Sequence, residues 1–121
     1  MDQILFDRQG SPMAYSDDKQ NIYFYSGRAA GYIEDGAIYA FSGKYLGSFD
    51  KGWVRDNDGH CVFFTQSAVV VGGPPKPVMR ARPAKNDKKP SPARGLKKER
   101  PYAPAPRRTW SQLSGPHFFE I

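Results

Sequence analysis

A glycine recurs at nearly constant spacing through the first part of the chain: Gly10, Gly27, Gly43 and Gly59 stand 17, 16 and 16 residues apart. The same small unit surrounds each one. Five residues earlier is an aliphatic side chain (Leu5, Ile22, Ile38, Val54). Four residues later is a small residue in three copies (Ala14, Gly31, Gly47) and Phe63 in the fourth. Asp7, Ser26, Ser42 and Asp56 to Asp58 stand just ahead of the glycines. These side chains bond nearby backbone, in front of a residue that accepts positive φ, which is turn chemistry. The flanking β-branched and aromatic residues suit a pleated, half-buried surface. No window carries the 3.6-residue spacing of an amphipathic helix. The expectation is an all-β fold of four β-hairpins, each about 16 residues long. A repeat that cannot bury its own face buries it against its neighbours. Four hairpins closed around a pseudo-four-fold axis hide their edges and pool the four aliphatic positions into one core. The small residues at 14, 31 and 47 suggest close approach of backbones near that axis.

Composition divides the chain at Gly72-Gly73-Pro74-Pro75. Residues 1–71 hold six Lys/Arg against nine Asp/Glu, a net of −3, whereas residues 72–121 hold twelve against three, a net of +9. Ten of the eleven prolines also follow residue 71. Such a segment has too few apolar groups to offset the cost of ordering it. The expected organisation is a hairpin domain over 1–71, a basic Pro-rich linker over 72–109 that stays disordered, and an aromatic segment over 110–121. On this reading residues 3–71 fold without the rest. Cys61 is the sole cysteine, which fits a reducing compartment. With no apolar leader and no run approaching a membrane span, the expectation is a cytoplasmic protein with no membrane contact.

The stretch 22–36, Ile-Tyr-Phe-Tyr-Ser-Gly-Arg-Ala-Ala-Gly-Tyr-Ile-Glu-Asp-Gly, is followed by Ile-Tyr-Ala-Phe-Ser-Gly-Lys-Tyr-Leu-Gly-Ser-Phe over 38–49. Together they resemble the 4-fold β-flower family of small bacterial domains. The resemblance covers about residues 3–71 and includes the boundary Asp50-Lys51-Gly52-Trp53. It implies four hairpin petals around a shared centre and carries over no catalytic residue. MORN-type repeats need a longer period, about 23 residues, and Trp-Gly repeats need a Trp in most copies; neither fits.

Catalytic, metal and cofactor motifs are missing. Asp56-Asn57-Asp58-Gly59 has the centre of a calcium loop, but positions 1 and 12 would be Val54 and Thr65, so a hairpin turn is the better reading. His60 and Cys61 are adjacent on a strand and point to opposite faces, which separates a nucleophile from its base. The sequence offers no phosphate loop and no metal-ligand spacing, so the expectation is a protein that is not an enzyme and needs no cofactor.

Three features point to binding instead. Tyr23, Tyr25, Tyr32, Tyr39, Phe41, Tyr45 and Trp53 exceed what so small a core can hide, and exposed aromatics mark contact surfaces. The basic linker attracts polyanions, with Lys97, Lys98, Arg107 and Arg108 as candidate contacts. Trp110, Leu113, Phe118 and Phe119 return large apolar groups after a long polar stretch, the form of a tethered docking peptide acting on a partner or on the body itself. The leading reading is a non-catalytic binding or adaptor protein with a protein partner. The alternatives are a non-specific nucleic-acid or polyanion binder working through the tail, and an enzyme with an aromatic-lined pocket.

Overall fold

The computed structural model describes residues 3–99 and 104–120. Eight strands follow one another: β1 (Gln3–Phe6), β2 (Pro12–Ser16), β3 (Asn21–Phe24), β4 (Ala29–Glu34), β5 (Ala37–Tyr39), β6 (Tyr45–Asp50), β7 (Trp53–Arg55) and β8 (Cys61–Phe64). Each pairs antiparallel with the next, and β8 returns to β1 through Phe6 and Phe64, closing a barrel. The four repeat glycines sit in the turns of β1–β2, β3–β4, β5–β6 and β7–β8. Their φ angles of 81°, 94°, 97° and 86° lie where only glycine is unstrained. Asp7 Oδ1 accepts the N–H groups of Gln9 and Ser11, and Asp56 Oδ1 accepts those of Asp58 and His60, all at 2.9–3.0 Å. The acidic stretch at 56–59 is therefore a turn built like the one at 7–10. Between hairpins, Asp35-Gly36 and Lys51-Gly52 have positive φ at both central residues, as a two-residue type I′ connection requires.

Register explains the alternation of aliphatic and small residues. Leu5, Ile22, Ile38 and Val54, at most 2% exposed, lie directly across from Ala14, Gly31, Gly47 and Phe63. The small partners leave the centre of the barrel partly hollow. Phe118 and Phe119 fill it from a 3-10 turn at Pro116–Glu120. Phe118 Cζ lies 3.1 Å from where a Cβ on Gly47 would stand, and Phe119 Cδ1 lies 3.7 Å from the same point on Gly31. In the fourth hairpin Phe63 occupies the space itself and stacks on Phe119 at 5.8 Å. The nearest groups to those points are backbone, the Tyr39 carbonyl oxygen at Gly31 and the Arg55 carbonyl oxygen at Gly47, so glycine serves close approach of the neighbouring strand first, with the plug packed beside it.

Residues 74–99 and 104–109 of the segment expected to be a disordered linker are laid around the barrel as a belt. Every nine residues one of its backbone N–H groups donates to a turn glycine: Arg80 to Gly10, Lys89 to Gly27, Lys98 to Gly43 and Arg107 to Gly59, at 2.9–3.0 Å. Composition misleads here because it counts apolar groups only. Proline already holds the chain extended and lowers the entropy that ordering removes, and the turn carbonyls are acceptors awaiting a donor. The two ends of the belt meet at Arg55, 6% exposed. Its Nη1 donates to Gly59 and Arg107 carbonyls at 3.0 and 2.7 Å, and its Nη2 to the Gly72 carbonyl. Beyond the belt the chain runs beside β8: Cys61 N–H donates to Thr109 O and Ser111 N–H to Cys61 O. Residues 3–71 accordingly hold neither the whole core nor all their backbone partners.

Candidate functional site: the grooves under the belt

Where two hairpins meet, a groove forms, and equivalent repeat positions face each other across it. The residue four before a turn glycine (Phe6, Tyr23, Tyr39, Arg55) faces the residue five after the preceding one (Phe64, Tyr15, Tyr32, Ser48). Between hairpins one and two, Tyr15 stacks on Tyr23 at 6.2 Å. Between two and three, Tyr32 stacks on Tyr39 at 5.5 Å, and between four and one, Phe64 stacks on Phe6 at 5.2 Å.

The belt crosses these rings with cations, again in steps of nine. Lys85 lies 4.3 Å over Tyr15 and Arg94 lies 3.9 Å over Tyr32. Lys88 lies 4.6 Å over Tyr23 and Lys97 lies 5.7 Å over Tyr39. Each of the latter two also pairs with an acid of the neighbouring hairpin: Lys88 with Asp17 at 2.8 Å, and Lys97 with Glu34. The hydrogen bond from Lys97 is the main cause that holds the Glu34 carboxyl below its ordinary range, and the bond to Asp17 does most to raise the Lys88 ammonium. A cation against a ring face and a carboxylate has a reason to stay where it is.

These contacts change the standing of the aromatic residues. Tyr25, Tyr32, Tyr39, Phe41, Tyr45 and Trp53 are all buried, and Tyr23 is half-buried. The sequence suggests that some of them form a solvent-facing binding surface; the belt covers them. The docking-peptide residues are likewise taken up by the body. Phe118 and Phe119 are buried at the centre, Leu113 packs against the same cluster, and half-buried Trp110 stacks edge-on to Trp53 and Phe64 at 5.9 and 6.1 Å. The aromatic segment thus lies against the chain's own barrel.

The candidate polyanion contacts divide. Lys97 is held by Glu34 and Tyr39. Arg107 has its Nε on the Asp58 carbonyl and its own carbonyl on Arg55. Lys98 and Arg108 are exposed and form no ion pair among the described residues. Lys89 is in the same state, although sequence reasoning does not single it out. The signal that finds it is the nine-residue step relating it to Lys98.

His60 and Cys61 diverge as their strand positions require. Cys61 is fully buried, with desolvation as the main cause that pushes its thiol up, and its Sγ lies 3.4 Å from Arg55 Nη1. His60 is half-buried, with Nδ1 2.5 Å from Thr109 Oγ1. Thr109 thereby fastens the belt's end to the fourth hairpin.

An eight-stranded antiparallel barrel of four hairpins around a common centre, encircled by its own tail, defines the architectural class. The chain belongs to the family described as 4-fold beta flower protein, whose model matches residues 3–119. The match includes belt and plug, beyond the 3–71 region that carries the resemblance in sequence. Neither the curated proteins nor the solved structures include a match. Among the described residues, no helix is long and apolar enough to cross a membrane.

Proposed function

We propose that this protein is a non-catalytic binding module whose contact surface is the outer face of the basic belt and whose ligand is a nucleic acid, bound through its phosphates without sequence preference. The observation that carries the reading is the pinning of the belt at Arg80, Lys89, Lys98 and Arg107 to the four turn glycines. A chain fixed in this way presents basic side chains at repeated positions around the barrel, and little conformational freedom remains to be lost when phosphates bind. The belt's basic residues act in two groups. Lys85, Lys88, Arg94 and Lys97 fasten the belt to tyrosines. Lys89, Lys98 and Arg108 face outward and supply the phosphate contacts. The packing of the aromatic segment into the barrel favours the belt, rather than that segment, as the contact surface. A cytoplasmic setting accompanies the proposal, in keeping with a single, buried, unpaired cysteine.

The test is a salt titration of binding to a short DNA duplex and to a single strand of unrelated sequence. Affinity should fall steeply with salt and be similar for different sequences. The combined variant Lys89→Gln/Lys98→Gln/Arg108→Gln should weaken binding and flatten the log Kd against log salt slope by about 3, roughly 0.9 for each duplex phosphate no longer neutralised. A salt-insensitive affinity, or a slope unchanged in the variant, would exclude the belt as the binding surface.

A further inference from the structure

The groove between the fourth and first hairpins departs at three linked positions from the pattern shared by the grooves between hairpins one and two and between two and three. In the groove between hairpins one and two the set is Tyr23, Lys88 and Asp17; between two and three it is Tyr39, Lys97 and Glu34. The equivalent positions one hairpin and nine belt residues earlier are Phe6, Met79 and Gln66. The phenol, the ammonium and the carboxylate are all replaced by uncharged groups. These three positions therefore cannot form the ion pair that crosses the other two grooves, and an open cleft of about 890 Å³ lies there.

The walls of the larger cleft have a definite chemistry. Ile4, Phe6 and Met79 form an apolar side, Gln66 offers an amide, and Arg80 and Arg82 line the remainder; among the described residues no carboxylate lines it. Met79 is 43% exposed and presents its thioether side chain to the cleft. Arg80 is fixed at two points, with its backbone N–H on Gly10 O and its Nε on Gln9 O. A guanidinium held in place beside an apolar wall matches a ligand with a short hydrocarbon body and a carboxylate or phosphate head, because the planar fork takes either anion.

We infer that this cleft is a binding site for a small amphiphilic organic anion, with the hydrocarbon against Ile4, Phe6 and Met79 and the anionic head on Arg80. The site is separate from the outward-facing lysines assigned above to phosphate contacts.

The full chain can be titrated with octanoate, octyl phosphate, octanol and inorganic phosphate while backbone amide shifts are recorded. Octanoate or octyl phosphate should saturate, with a Kd of about 1 mM or tighter, and the shifts should centre on Ile4, Phe6, Gln66 and Met79 to Arg82. Octanol and inorganic phosphate should each bind at least about tenfold more weakly, since each offers only half of the match. Met79→Lys/Gln66→Glu rebuilds the closing pair found in two other grooves and should abolish saturation while preserving the amide spectrum. Arg80→Gln keeps the backbone bond to Gly10 and should cost the anionic probes about tenfold without affecting octanol. Absence of saturation by both anionic probes would overturn the proposal, as would equal binding of octanol or an unchanged affinity in Arg80→Gln.

Discussion

The barrel and the belt reach an ordered state by different routes. Strands β1 to β8 bring their own turn residues, their own alternation and four matched aliphatic positions, so each step of their folding is favoured locally. The belt has none of these. It lacks hydrophobic periodicity, has no strand partner over most of its length, and carries a net positive charge that opposes compaction. Its order comes from what it finds on the barrel: a glycine carbonyl every nine residues, the faces of Tyr15, Tyr23, Tyr32 and Tyr39, and carboxylates at Asp17 and Glu34. The difference teaches that a basic, Pro-rich composition describes how a segment behaves alone. It is silent about acceptors waiting elsewhere in the same chain.

The dependence runs in both directions, and the largest expected effect follows from that. A chain ending at Val71 would lose Phe118 and Phe119 from the core, each worth about 3–5 kcal/mol by analogy with large-to-small core changes. It would also leave the guanidinium of Arg55 without the Gly72 and Arg107 carbonyls. A domain of about 70 residues has only some 3–5 kcal/mol in total. The truncated chain should therefore show no cooperative thermal transition by circular dichroism. A sharp transition near that of the full chain would restore the view that the hairpins stand alone.

A smaller and more local effect is expected at the contact between the two regions. Gly43 has a φ of 97°, and the space where its Cβ would stand is occupied by the Leu96 carbonyl of the belt. Gly43→Val strains the turn and displaces the belt together, and should destabilise by about 2 kcal/mol or more. Urea unfolding measures the loss. An unperturbed midpoint would show that neither the turn nor the belt crossing is as described.

The smallest expected effect belongs to the barrel alone. Asp18, between β2 and β3, accepts N–H groups of Gln20 and Asn21 and the Asn21 side-chain amide. Partial desolvation raises its pKa, but these hydrogen bonds together outweigh it and hold the carboxyl at about 2, against an ordinary 3.8. A depressed carboxylate stabilises the fold above its unfolded pKa, and the contribution disappears as pH falls toward the folded value. The melting temperatures of the native chain and Asp18→Ala should therefore differ modestly above pH 4 and converge by about pH 2. The exposed pairs Lys88–Asp17 and Lys97–Glu34 contribute little on this scale. A gap that persists at the acid end would mean that the Asp18 charge is not the source.

The barrel is legible in the sequence because its information is local. The glycine spacing, the Asp and Ser residues ahead of each turn, and the aliphatic residues across from small ones each encode one step of the fold. The positive φ at Gly10, Gly27, Gly43 and Gly59 follows from those residues. The belt also has a repeat, written as Val78-x-Arg80, Asp87-x-Lys89, Leu96-x-Lys98 and Ala105-x-Arg107. Only the last member of each triplet is chemically alike, and the contact it marks is made by a backbone N–H that every residue except proline has. Side-chain chemistry does not reveal it. The plug is visible in sequence as four apolar residues after a long polar stretch, whereas Gly31 and Gly47 suggest only close backbone approach. Phe118 and Phe119 pack beside them.

Hydrogen exchange at four backbone amides bears most directly on the belt. Arg80, Lys89, Lys98 and Arg107 donate to the turn glycines, whereas Ala84 and Ala93 are exposed and their N–H groups reach no turn glycine. In the full-length protein near neutral pH the four amides should exchange well below random-coil rates, in a pattern that recurs every nine residues, with Ala84 and Ala93 fast. Uniformly fast exchange across residues 80–107 would contradict the account and return this segment to a linker.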